Sequence, residues 1–244
     1  KRTGYGRILG AGTTLGTAYN VQNLFTWTND TGSQSYLYAK RGNLLQFYDL
    51  TAGTALDWIT CTNGTFSGTA NVDFAVLANT LMVGDGVGST RHTTNGTAFT
   101  NTTGAPIAGH FEQYQQRIYA GGTANTLFYS TTGDPTDWSG AGASDSSSLD
   151  IPGPGRINKV VKLADRLLVH KQGGNIFRWD GYLLEDLATD SAMTSPESFS
   201  KTENYGFWLN RDGIYGSGGD KPELISNAVQ PLFYGTKIGS GIAG

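Results

Sequence analysis

The chain has 244 residues, 38% of them hydrophobic, 15% charged, and a net charge of −3. It is long enough to bury a core as one large domain or two small ones, but it carries no global basic field of the kind that holds nucleic acid. A single cysteine, Cys61, excludes a fold organised around intrachain disulfides and reads as a buried, inert thiol. No apolar run reaches the ~18 residues of a membrane-spanning helix.

Glycine occurs 35 times, about twice its average usage. Runs with the 3.6-residue period of helices are nearly absent, so turns and short strands make up the chain. It opens on Lys1-Arg2 with no signal peptide, and closes on the Gly-rich stretch Ile238–Gly244. Both ends read as cuts in a longer polypeptide.

Five segments repeat one outline, an alternating apolar strand, a small turn and a second strand. In chain order they are Tyr36–Tyr48; Phe74–Gly86; Tyr114–Gly122 with Asn125–Ser130; Val160–His170 with Asn175–Gly181; and Tyr205–Tyr215. Their turns align at Arg41, Asn79, Gln116, Asp165 and Arg211, spaced by roughly 40 to 50 residues, the span of a four-stranded propeller blade. The fold class expected is all-β, a propeller of about five to six four-stranded blades in a single domain over 1–244. A sixth blade would need residues beyond this sequence or strands from its two ends.

The blade-like units are placed near 28–60, 70–103, 110–138, 157–187 and 203–227. Lys171–Gly174 joins two strands by hairpin chemistry. Asn63-Gly64, Asn95-Gly96, Asp180-Gly181 and Asp212-Gly213 carry the positive-φ turn signal. The small, Pro/Gly-rich stretch 139–156 is expected as a long loop, and 186–203 as a second, where Pro196 argues against a continuous strand. The basic residues Arg156, Lys159, Lys162 and Arg166 read as solvated strand faces.

No cofactor-binding, metal or catalytic site is expected. His92, His110 and His170 have no ligand spacing and no cysteine pairs. Asp145 and Asp150 are too sparse for a calcium loop, and Asp134 and Asp137 flank Pro135. Glycoside hydrolysis needs two carboxylates about 5 to 9.5 Å apart. Asp49, Asp57, Asp73 and Glu185 are nominal candidates, and no local pattern selects a pair among them. Gly216-Ser217-Gly218 and Gly239-Ser240-Gly241 lack the spacing of a nucleophile elbow. Gly10, Gly12 and Gly16 miss the dinucleotide spacing. Ser130–Trp138 matches a sialidase Asp-box poorly and reads instead as a tight turn at Asp134-Pro135, with Trp138 packed between blades.

Several of these segments together resemble one family. The opening Lys1-Arg2-Thr3-Gly4-Tyr5, the outline Arg117–Gly122 then Leu127–Trp138, Asp165–His170 leading to Asn175–Gly181, and Asp212–Tyr215 then Lys221–Ser226 are similar to the tail nozzle and packaged-DNA stabilisation proteins of short-tailed bacteriophages. The resemblance runs over most of the chain and implies a propeller that is a non-enzymatic virion component. Its implied partners are further copies in a hexameric ring, the portal and adaptor above it, other tail proteins, and genomic DNA in transit, with no membrane. A weakly charged wall suits that role, because each phosphate neutralised would add salt-dependent grip on the passing duplex. A carbohydrate- or receptor-binding propeller and a propeller glycoside hydrolase are the alternatives.

Overall fold

The computed structural model describes residues 21–52, 57–140 and 145–226. The strands of the described residues form five antiparallel sheets of four, each with its strands in chain order. Sheet 1 holds β1 (Val21–Thr28), β2 (Ser35–Arg41), β3 (Leu44–Asp49) and β4 (Ile59–Thr65). Sheet 2 holds β5 (Asp73–Leu77), β6 (Thr80–Gly84), β7 (Arg91–Thr93) and β8 (Thr100–Asn101). Sheet 3 holds β9 (His110–Tyr114), β10 (Arg117–Gly121), β11 (Thr126–Tyr129) and β12 (Ser147–Asp150). Sheet 4 holds β13 (Ile157–Leu163), β14 (Arg166–Lys171), β15 (Ile176–Trp179) and β16 (Leu184–Ala188). Sheet 5 holds β17 (Ser200–Lys201), β18 (Gly206–Asn210), β19 (Gly213–Ser217) and β20 (Glu223–Leu224). The one helical element among the described residues is a 3-10 turn at Pro196–Ser198.

The period of two explains how these sheets stack. Along β5 and β6, Phe74, Leu81 and Val83 enter a core shared with Tyr38, Leu45 and Phe47 of sheet 1. Their neighbours Ala75, Leu77 and Met82 enter a core shared with Phe111 and Ile118 of sheet 3. Successive side chains point to opposite faces, so one strand serves two interfaces. Tyr119 and Leu127 meet Val160 and Val169 between sheets 3 and 4; Val161 and Leu168 meet Met193 and Trp208 between sheets 4 and 5. Sheets stacked face to face around an axis, each a four-stranded meander, make a β-propeller.

Two-residue turns set the register. Ala78 and Asn79 (φ 47° and 61°) join β5 to β6, and Gln115 and Gln116 (φ 47° and 57°) join β9 to β10. Paired left-handed residues match the right-handed twist of the flanking strands. Close packing sets other positions: a Cβ on Gly84 would lie 2.5 Å from the Ala108 carbonyl oxygen, where sheets 2 and 3 approach.

Four expectations need correction. The aligned turns are not equivalent: Asn79, Gln116 and Asp165 join first to second strands, whereas Arg41 and Arg211 join second to third. Alternation marks a two-faced strand and does not number it within its blade. The stretch 139–156 is not all loop, since Ser147–Asp150 is β12, paired with β11. An outer strand has little apolar face to bury, so Ser147, Ser148 and Asp150 stay exposed and the hydrophobic signal vanishes. The stretch 186–203 also includes the end of the outer strand β16 and the two-residue first strand β17, too short to show a period, beside the turn at Pro196. Sheet 1 likewise extends beyond 28–60, from Val21 to Thr65.

Candidate functional site at the propeller axis

The first strands of sheets 1 to 4 start around a common polar pocket. It is lined by Asn23 of β1, Asn71 and Asp73 at β5, Gly109 and His110 at β9, Lys159 of β13, and Pro196 and Glu197 of the 3-10 turn. β5 and β9 open on the polar Asp73 and His110, whereas Asn23 and Lys159 come third in β1 and β13, and together they bring polar groups from distant parts of the sequence to one place.

Asp73 is the hub. Its Oδ2 accepts a hydrogen bond from Lys159 Nζ at 2.6 Å and one from the Phe111 amide at 3.2 Å. His110 Nδ1 lies 3.7 Å from the same oxygen. Both Asp73 and Lys159 are about four-fifths buried, at 23% and 18% side-chain exposure. Burial alone would push the Asp73 carboxyl up, but the Lys159 ammonium and the His110 ring outweigh it and hold the group at about 2.

A second tie crosses the pocket, where Asn71 Nδ2 donates to Glu197 Oε1. Glu197 also accepts from Ser195 Oγ; burial raises its carboxyl, and these two hydrogen bonds bring it below the usual range. Further along the strands, Glu112 Oε2 of β9 accepts from the Lys162 amide of β13 at 3.0 Å and from Lys201 Nζ of β17 at 3.3 Å. Asn23 Oδ1 of β1 accepts the Val72 amide at 3.1 Å. The axis is thus stitched by ion pairs and hydrogen bonds that each join different sheets.

The nominal carboxylates do not converge. Asp49 caps the turn after β3, accepting from the Thr51 amide at 2.8 Å and the Thr51 hydroxyl at 2.6 Å. Asp57 stands just before β4, and Glu185 pairs with Arg178 Nε at 2.6 Å on the outer strands of sheet 4. Only Asp73 is axial, and a carboxyl held near 2 is a weak base and no acid at neutral pH.

The histidines stand on three sheets. His92 Nδ1 contacts Thr102 Oγ1 at 2.9 Å. His170 is fully buried edge-on to Trp208, with ring centroids 4.9 Å apart; desolvation drives its pKa down to about 3. Among the described residues no group of three or more His, Cys, Asp or Glu side chains is placed to hold a metal ion. Cys61 is buried, and desolvation pushes its thiol up to about 12, which makes it a poor nucleophile at neutral pH. Asp134 caps Thr136, Trp138 Nε1 donates to the Pro135 carbonyl at 2.8 Å, and the Trp138 ring packs on the core between sheets 2 and 3.

The basic cluster is not uniformly solvated. Lys159 is locked on Asp73, and Arg166 bonds Asp220, which also accepts from Arg178 at 2.7 Å. Sequence reasoning missed the Lys159–Asp73 pair because 86 residues separate its members, and it missed Asn71–Glu197 because 126 do. The available signal is partial: Asp73 and His110 open β5 and β9 ahead of the apolar alternation.

No protein-family model and no curated protein matches the chain. Solved structures do, at low identity. Raptor of Chaetomium thermophilum aligns with a TM-score of 0.58 and 11% identity over 88% of this chain and 21% of that one. U3-55K aligns with a TM-score of 0.58 and 11% identity over 85% of this chain and 64% of that one. YCF48 of Cyanidioschyzon merolae aligns with a TM-score of 0.51 and 11% identity over 79% and 67%. The chain therefore spans less than two thirds of the first two. Likeness at this identity establishes the fold, a β-propeller, and leaves the function to the chain's own residues.

Proposed function

We propose that the chain is a non-catalytic structural propeller of a bacteriophage virion, a nozzle-type tail subunit. In this reading it assembles with copies of itself into a six-membered ring below portal and adaptor, extends the DNA channel, and retains the genome until ejection. The observation that carries the mechanical half of the reading is the axis. Its charged residues are spent on ties between sheets, as in Lys159–Asp73 at 2.6 Å. Such ties stiffen a module that must bear load. The phage half rests on the resemblance of the blade outlines Arg117–Trp138 and Asp165–Gly181. Subunits in a ring meet through two different surfaces, and a rigid propeller with many loops supplies both.

The test is assembly. Mixed with portal and adaptor, the purified chain is expected to enter a complex of six-fold symmetry, measured by light scattering and imaging. A chain that stays monomeric and unbound in that mixture contradicts the proposal.

The glycan- or receptor-binding alternative has one observation in its favour. Tyr182, at the β15–β16 turn, is 96% exposed, with Leu183 beside it at 55%. Loss of glycan binding on Tyr182→Ala would transfer the reading to that class.

A further inference from the structure

Outer strands of neighbouring blades meet at the rim of the propeller, and between sheets 1 and 2 that seam is tied by backbone. The Thr62 amide of β4 donates to the Thr97 carbonyl at 3.0 Å, and the Phe99 amide donates to the Thr62 carbonyl at 2.9 Å. Beside this bridge lies an open cleft of about 410 Å³. It is lined, among the described residues, by Asn63 and Thr65 of β4, Arg91 of β7, and Thr100 and Asn101 of β8.

Arg91 is fixed in that cleft. Its guanidinium lies 4.7 Å from the centre of the Phe66 ring, and its Nη1 donates to the Asn63 carbonyl. Asn63 has a left-handed backbone (φ 55°), which asparagine tolerates better than most residues, and its Nδ2 donates to the Phe99 carbonyl at 3.1 Å. Arg91 is half-buried, and its Nε is shut off from solvent without an acceptor. Arg166 and Arg178 pair with carboxylates, whereas among the described residues Arg91 pairs with none. A fixed, partly desolvated cation without a counter-charge is unfavourable, and an anion seated against it compensates.

The rest of the lining narrows the ligand. No Asp or Glu lines the cleft among the described residues. The Asn101 amide and the Thr65 and Thr100 hydroxyls are exposed and make no hydrogen bond among the described residues. Amides and hydroxyls both donate and accept, as the hydroxyls of a polyol require. One cation balances one negative charge. That charge state fits a carboxylate, planar and matched to the guanidinium fork, better than a phosphate monoester of roughly −1.5 to −2.

We propose that this rim cleft binds a sugar acid, with Arg91 taking the carboxylate and Asn63, Thr65, Thr100 and Asn101 the ring hydroxyls. The chemistry recognised is a carboxylated sugar ring, whether free or at the end of a glycan. The inference does not rest on the phage reading, and the cleft lies on different sheets from Tyr182.

Calorimetric titration of the full chain tests it, with D-glucuronate, D-galacturonate and N-acetylneuraminate as probes and D-glucose and inorganic phosphate as comparisons. At least one acid is expected to bind, at least about tenfold more tightly than glucose or phosphate, and less tightly as salt rises. Arg91→Gln is expected to abolish binding. Asn101→Ala, at an exposed outer-strand position, is expected to weaken it several-fold with thermal unfolding unchanged, and Tyr182→Ala to leave it intact. An oligosaccharide ending in the same acid, binding more tightly than the free acid, would assign the cleft to glycan ends; equal or weaker binding would assign it to the free acid. Failure of all three acids to bind, phosphate binding as tightly as they do, or binding untouched by both Arg91→Gln and Asn101→Ala would overturn the inference.

Discussion

Lys159 Nζ of sheet 4 lies 2.6 Å from Asp73 Oδ2 of sheet 2, a contact that passes over sheet 3 at the mouth of the propeller axis. It links two blades that share no core, and His110 of the intervening β9 stands beside it.

Removing one partner should cost more than removing both. Lys159→Met leaves a mostly buried carboxylate with the His110 ring and one backbone amide, and about 2 kcal/mol of unfolding free energy should be lost. Asp73→Asn with Lys159→Met should recover part of that loss. Urea unfolding of the four proteins in a double-mutant cycle measures it, and a coupling energy near zero would remove the axial tie from the account.

Acid should weaken the fold in two stages. Burial depresses the folded pKa of His170 to about 3, well below the 6.5 of a solvated imidazole. Between those values the unfolded chain binds the extra proton, so stability falls as pH falls below 6.5, by up to about 1.4 kcal/mol per unit. Asp73 is depressed to about 2, from 3.8; its contribution is complete above 3.8 and is lost as pH falls toward 2. Thermal unfolding against pH should therefore slope downward from pH 6.5 to 4 in the unmodified chain. His170→Gln should flatten that interval. An unchanged slope in the variant would show that His170 is not its source.

Much of the architecture was legible in the sequence. Alternation along Phe74–Leu77 and Val160–Leu163, and the turn at Asn79, identified strands whose two faces serve two cores. What escaped was of two kinds. Outer strands such as β12 bury too little to show a period. The axial cluster escaped because side chains 86 and 126 residues apart come together only once the sheets are arranged around an axis. Asp73 was among the nominal acids, whereas Lys159 stood only in a basic cluster that reads as a solvated strand face, and His110 only among histidines without ligand spacing.

Gly84→Ala places a methyl group 2.5 Å from the Ala108 carbonyl oxygen. Backbone cannot yield there without parting sheets 2 and 3, so a loss of about 1 to 3 kcal/mol is expected. Thermal unfolding checks it, and a neutral result would mean that this interface is looser than described.

Lys171 is fully buried, and its ammonium donates to Asn125 Oδ1 and to the carbonyls of Ile151 and Gly153, at 2.9, 3.0 and 3.1 Å. Burial lowers its pKa. Lys171→Met keeps the stem and strands three acceptors, and should cost about 2 kcal/mol. Stability equal to the unmodified chain would show that water replaces the ammonium at little cost.

The hydrolase alternative makes its own demand. If the chain cleaves glycosides with the nominal carboxylates, one of Asp49→Asn, Asp57→Asn, Asp73→Asn or Glu185→Gln must abolish turnover. The account expects no turnover to abolish, and the largest stability loss of the set at Asp73, which leaves the mostly buried Lys159 ammonium without its carboxylate.

An image of the assembled particle tests the central claim most directly. Cryo-electron microscopy of tails that contain this chain should show six copies of a propeller in a ring around the DNA path, below portal and adaptor, with the Lys159–Asp73 end of each propeller axis resolved. Finding the chain outside the tail, or as a single copy without ring symmetry, would contradict the account.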